Sequence, residues 1–235
     1  MCVAVCSASS VASAAQYGLC QAGWSRAQAD YYGCMYRKLD SSDKPRCLDR
    51  FLKKIADLHN LTDTPCADTR FVDQGDGTVI DNFTGLIWEK KTNADGVANP
   101  ADPHDVDNTY AYTDVSDGDK ENEDGPLFTD FLASLNAGSG FAGSNGWRVP
   151  TVVEIYSLYV NGSCSTAPCL DPLLLPYQQA EYSVYVTISR GTPQSNPLLY
   201  PGYTTGVETT PRSLSGIPMD GAFAVRAVHG GYANY

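Results

Sequence analysis

The chain has 235 residues, 43% of them hydrophobic and 11% aromatic, with a formal net charge of −11. That is enough apolar material for a packed core, which excludes intrinsic disorder and allows one large domain, or one ordinary domain with a small appendage. The acidic balance excludes a nucleic-acid backbone as partner, and 21 Gly and 14 Pro against 18% charged residues exclude a plain helical bundle.

Residues 1–19 read as a signal peptide or leader. Residues 3–16 are small and apolar and offer a cleavage site near Ala14 or Ala15, although a basic n-region is missing. A secreted, extracellular or cell-surface location follows, in which an even set of cysteines forms disulfides. No other apolar run approaches the ~20 residues needed to span a bilayer.

Residues 20–66 read as a helical hairpin. Ser25 caps a first helix through Leu39, with Ala27, Tyr31, Cys34 and Met35 on one face. Asp43 and Pro45 open a second helix through about His59, with Leu48, Phe51, Leu52, Ile55 and Leu58 inward. Folding about residues 39–43 brings Cys34 opposite Cys47 and Cys20 opposite Cys66, and these nested pairs are preferred among the three connectivities. This segment carries 8 basic and 6 acidic residues, whereas residues 67–235 carry 8 and 21.

A second domain, residues 67–235, opens with a β-hairpin at 71–89. Gly75-Asp76-Gly77 and Thr84-Gly85 supply its turns, and Val79, Ile80, Leu86, Ile87 and Trp88 its apolar faces. Residues 92–125 are acidic and turn-rich. A helix at 126–135 follows, through Leu127, Phe128, Phe131, Leu132 and Leu135. A Gly/Ser/Asn loop at 138–146 leads to a strand end at Trp147 and a helix from about Thr151. Cys164 and Cys169 staple a local loop, residues 182–189 alternate as a strand, 191–215 form a polar, Tyr-bearing loop, and 222–228 close the domain as a strand.

Three stretches form a pattern. Asp76 to Trp88 reads DGT-V-x-D-x-x-TGL-x-W, Trp147 to Ile155 reads WR-V-P-T-x-x-E-I, and Phe223 to Val228 reads F-x-VR-x-V. In this order they resemble the bacterial domain family typified by the C-terminal domain of the collagen-like adhesin Lcl, over about residues 70–235. The resemblance implies an α+β, C-type-lectin-like domain with an antiparallel sheet and two helices, a fold shared with formylglycine-generating enzymes and with the variable proteins of diversity-generating retroelements. It also implies binding through loops more than chemistry.

Several side chains are candidates for a site. Asp105, Asp107, Asp117, Asp119 and Glu121 offer the hard oxygens that calcium requires, but Asn122 and Phe128 stand where an EF-hand needs Gly and Glu. Calcium is therefore a candidate cofactor beside the bland reading of a solvated acidic loop. Asp73, Asp76 and Asp81 invite the same idea, with turn chemistry the better account of Asp76. Tyr110, Tyr112, Tyr200 and Tyr203 are the candidate ligand contacts, because aromatic side chains on loops suit glycan or protein recognition. Arg148 with Glu154, or Arg226 with Glu89, are candidate ion pairs that fix the core.

Catalysis finds no support: His59, His104 and His229 are scattered, and no nucleophile elbow, phosphate loop or HExxH is present. The reading is a non-enzymatic, adhesin-like bacterial binding protein at or outside the cell surface. Its partners are a glycan or a protein, and self-association is open to it. Members resembling Lcl favour sulfated glycosaminoglycans, whereas the anionic domain here favours neutral glycans or proteins. The alternatives are a structural subunit of an extracellular filament and a retroelement-diversified receptor.

Overall fold

The computed structural model describes residues 8–37, 44–59, 70–116, 118, 122–158, 171–174, 184–190, 203–209, 212–218 and 220–230. The protein is a mixture of helix and antiparallel sheet. Two helices, α1 (Ala8–Arg37) and α2 (Lys44–His59), come first. In α1 the residues Cys20, Trp24, Ala27, Tyr31 and Cys34 recur at three and four and are buried; in α2 Cys47, Phe51 and Ile55 do the same. The stripes face each other in antiparallel sense, since Cys34 joins Cys47 near one end while Gly23 meets Leu58 near the other.

The Cys34–Cys47 disulfide holds Cα atoms 5.8 Å apart, as folding about residues 39–43 requires. Cys20 is also disulfide-bonded; the expected partner, Cys66, lies outside the described residues, as do Cys164 and Cys169. Ser25 does not cap α1, contrary to expectation. The helix runs through it from Ala8, because nothing in the small, uncharged run upstream breaks a helix, and an exposed Ser is tolerated mid-helix. At Gly23 a Cβ would stand 2.6 Å from Leu58 Cδ2, so glycine lets the two helices close on each other.

The expected single β-hairpin is a three-stranded meander that uses both turn signals: β1 (Phe71–Asp73), β2 (Thr78–Asp81) and β3 (Leu86–Glu89). Phe71 stands opposite Asp81, and Val79 opposite Trp88. Asp76 Oδ1 accepts from Thr78 N at 3.0 Å and Thr78 Oγ1 at 2.6 Å, which folds the first turn around Gly77. Gly77 has φ +91°, and an added Cβ would lie 3.0 Å from the Phe141 ring.

Downstream come β4 (Tyr110–Ala111), a π-helical segment (Leu127–Leu132) running into α3 (Ala133–Leu135), α4 (Val152–Ser157), β5 (Val184–Arg190), β6 (Tyr203–Thr209), β7 (Arg212–Pro218), β8 (Ala222–Phe223) and β9 (Val228–His229). The helix expected at 126–135 is thus mostly π-helical. Its apolar stripe of Leu127, Phe131 and Leu135 recurs at four, a spacing that either helix type can bury. The loop expected at 191–215 contains β6 and part of β7. Thr204, Thr205, Val207 and Thr209 are β-branched, a preference that outweighs the neighbouring Pro and Gly. The expected closing strand at 222–228 is split: β8 pairs with β4, and β9 with β3.

The main sheet has the order β1-β2-β3-β9, and side-chain alternation gives it two packed faces. Val79, Leu86 and Trp88 point to a core shared with α1, α2, Val153 and Ile155. There Trp24 packs edge-on against Phe51 at 5.4 Å and Phe83 at 6.1 Å, so the hairpin and the sheet share one apolar cluster. Ile87 points to the opposite side, where Leu127, Phe131, Leu135, Trp147 and Val149 form a second core. Replacing both Cys34 and Cys47 by Ser is expected to lower unfolding free energy by about 3 kcal/mol, the chain-entropy value for so short a loop. Urea denaturation of the double variant under non-reducing conditions measures it.

Candidate functional site

The centre of the domain is a buried carboxylate. Strand alternation puts Glu89 and Lys91 on one side of the chain as it leaves β3, and both are buried. Glu89 Oε1 meets Lys91 Nζ at 2.9 Å and His104 Nδ1 at 2.9 Å, and Oε2 accepts from Ala227 N at 2.9 Å. Lys91 Nζ also donates to Pro103 O at 3.3 Å and lies 4.5 Å from the centre of the Phe131 ring, a cation–π contact. His104 stacks on Phe141 at 4.2 Å. One carboxylate therefore ties β3 to the loop at 91–104 and to the closing segment.

Burial pushes the Glu89 carboxyl up, but the Lys91 charge, the His104 hydrogen bond and the Ala227 N–H outweigh it and hold the group below the ordinary glutamate value. Burial pushes Lys91 down, and the charge and hydrogen bond of Glu89 restore only part of the loss. Arg226 does not pair with the Glu89 carboxylate in the way its sequence pairing suggests. Its Nη1 donates to the Glu89 main-chain carbonyl at 2.7 Å, and its Nη2 to Leu174 O at 2.8 Å.

Two further ion pairs frame this centre. Arg148 grips Glu154 with both nitrogens, at 2.8 and 2.7 Å, and donates to Gly230 O at 2.8 Å. Glu154 also accepts from Thr151 N at 2.7 Å while Thr151 Oγ1 accepts from Glu154 N, so the Thr-x-x-Glu stretch is a capping box for α4. Arg70 binds Asp81 through Nε and Nη2, at 2.9 and 2.8 Å, lies over the rings of Phe71 and Phe83, and donates to Ser157 O. Asp81 thereby serves a guanidinium, and Asp73 pairs with Lys90.

The loop after Lys91 is built by its own short polar side chains. Thr92 N donates to His104 O and Val106 N to Thr92 O, which closes the loop at its base. Asp105 is fully buried; its oxygens accept from Asn93 Nδ2 at 3.2 Å and Asp107 N at 2.8 Å. Asp107 accepts from Gly96 N at 2.8 Å, and Asn108 Nδ2 donates to Asn99 O and Asp102 O. The carboxylates of Asp105 and Asp107 thus fold the loop itself by accepting from its amides. Among the described residues no group of three His, Cys, Asp or Glu side chains is placed to hold a metal ion. Asp117, Asp119 and Glu121 lie outside the described residues.

The tyrosines separate. Tyr112 is 1% exposed, packs edge-on against Phe128 at 4.8 Å and donates its hydroxyl to Glu123 at 2.7 Å, so its ring belongs to the core. Alternation across Tyr110, Ala111 and Tyr112 does not reveal this, because short turns on either side hide the strand. Tyr110 is half-buried against Phe131, and its hydroxyl is pushed up to about 12, chiefly by burial. Tyr203 opens β6 opposite Pro218, and Tyr200 lies outside the described residues. Trp88 and Trp147 are core residues. Residues 92–101 are exposed and carry the outward surface.

Lys91 and His104 are the members of this centre that the sequence reading passed over. Glu89 and Lys91 two apart at a strand end carry a signal, namely two opposite charges on one face. His104 carries none, since only the closed loop brings it back.

A domain of this kind is a packed scaffold, with a few ion pairs buried in its core and a loop held on its outside. The sequence profile of the Lcl C-terminal domain matches residues 77–229, from the first turn to β9, and the chain belongs to that family. Searches among curated proteins and among solved structures found no match. Among the described residues no helix is long and apolar enough to cross a membrane.

Acid unfolding tests the centre. Glu89 has a lower pKa folded than unfolded, so its contribution is complete above the ordinary glutamate range and is lost as pH falls through the depressed folded value. Glu89→Gln is expected to flatten that acid limb and, by leaving Lys91 unpaired, to cost on the order of 3–5 kcal/mol at neutral pH. Circular dichroism melts across the acid range read both effects.

Proposed function

We propose that the protein is a non-enzymatic, adhesin-like binding protein, secreted or displayed on a bacterial surface, whose C-type-lectin-like domain recognises a glycan or a protein through its loops. The observation that carries this reading is the division of labour in residues 89–108. Glu89, Lys91 and Asp105 are buried and engaged with one another or with the loop, while residues 92–101 face outward on a closed frame. Membership of a family named for an adhesin's C-terminal domain supports it. So does the engagement of the buried titratable groups, which leaves Glu89 and Lys91 no open face for a substrate.

The outward surface is anionic, with Asp95 and Asp114 exposed, so neutral glycans or basic protein patches fit it better than sulfated polymers. Tyr110 at its edge supplies a partly open aromatic face. Binding of the whole chain to glycan and protein arrays, with and without chelator, tests the reading. Replacement of residues 94–101 by a Gly/Ser segment of equal length is expected to abolish the signal while leaving the melting curve nearly unchanged. A signal that survives the replacement places recognition elsewhere, and one that vanishes with chelator restores calcium at residues 105–121.

A further inference from the structure

The charge of this chain is divided between two surfaces. Helix α2 carries Lys44, Arg46, Arg50, Lys53 and Lys54 against Asp49 and Asp57. Residues 92–116 carry five Asp and no Lys or Arg, with Asp95 and Asp114 exposed. Arg46, Arg50, Lys53 and Lys54 are all exposed, at spacings that gather them along one side of the helix, where the exposed Asp57 and, at the margin, Asp49 offset only part of their charge. Arg26, Arg50 and Lys53 enter no hydrogen bond or ion pair among the described residues.

Beside this stripe runs a groove between the two helices. One compartment, about 240 Å³, is lined by Tyr31, Phe51, Arg50 and Asp30; the next, about 260 Å³, by Gly23, Leu58, Arg26 and Asp57, so the cations outnumber the carboxylates once Lys54 is counted. Ala27 and Lys54 line both, and the Lys54–Asp30 pair spans the helices where they meet. The hairpin covers the sheet face of Trp88. The acidic loop is anchored through Lys91 to Phe131, in the core on the other side of the sheet. The two surfaces are therefore turned away from each other within one molecule.

We propose that the basic groove of the hairpin receives the acidic loop, residues 92–116, of a second copy of this chain. Groove and loop are different surfaces, so the contact is heterologous and runs head to tail, closing into a ring or extending as a filament. The net charge of −11 opposes association at very low ionic strength. At about 0.1 M salt the Debye length is roughly 10 Å, so distant repulsion is screened while charges in contact still attract. The inference stands whether or not the loop also takes an external ligand.

Sedimentation velocity on the full chain tests it. At about 0.1 M salt the sedimentation coefficient is expected to rise with protein concentration, and near 1 M, where the Debye length is roughly 3 Å, the rise is expected to disappear. Arg50→Glu with Lys53→Glu alters exposed residues that have no hydrogen-bond or ion-pair partner among the described residues, and is expected to weaken association at least about tenfold, the order that reversing two contact charges gives. Asp95→Lys with Asp114→Lys is expected to do the same from the loop side. Mixing the two variants, each with an unchanged circular dichroism spectrum, restores complementary pairs and is expected to restore association. A wild-type chain that stays monomeric at every concentration and salt overturns the proposal. So does association that survives both variants, or a mixture that stays apart.

Discussion

The Glu89 carboxylate is the constraint on which the domain depends. A buried charge is tolerated only when its lone pairs are occupied and an opposite charge is at hand, and Glu89 meets both conditions by drawing on parts of the chain far apart in sequence. Lys91 comes from the chain just past β3, His104 from the far side of the loop, and the Ala227 amide from the closing segment. None of these groups can be moved without uncovering the carboxylate. The loop base, the closing segment and the packing of Lys91 on Phe131 are fixed together for that reason.

The two outer ion pairs do related work on the edges of the sheet. Arg148 joins the strand end at Trp147 to the cap of α4 and to Gly230 beyond β9, and Arg70 joins the β2–β3 turn to Ser157 at the end of α4. In each case a guanidinium takes a carboxylate with two nitrogens and keeps one donor for a distant carbonyl. The planar fork of arginine allows this, and an ammonium does not. Of the residues in the pattern at 76–88 and 147–155, Asp81, Thr84, Arg148, Thr151 and Glu154 bond in these contacts, while Asp76 and Thr78 bond each other in the first turn.

Much of this was legible in the sequence, and what was not has identifiable reasons. The helical hairpin, the Cys34–Cys47 pair and the turns at Gly77 and Gly85 follow from local spacing, and Arg148–Glu154 is one of the two ion pairs that the sequence offers as alternatives. The switch of the closing segment between two sheets does not, since a strand that changes partners around Arg226 keeps the same alternation. Ser25 misled because a good cap residue is also acceptable inside a helix. Strands β6 and β7 were hidden by the Pro and Gly around them, and Tyr112 by the shortness of β4. The buried role of Asp105 was the least visible, because an aspartate that folds its own loop and one that binds a cation have the same neighbours in sequence.

The inward turn of the loop's carboxylates and amides also separates two kinds of position. Asp102, Asp105, Asp107 and Asn108 hold the backbone, whereas Ala94, Val97, Ala98 and Ala101 point away from it. The second group can be rewritten without disturbing the first. The fold therefore offers a short run of interchangeable sites on a fixed frame, and a new specificity can be reached there without first remaking the protein that carries it.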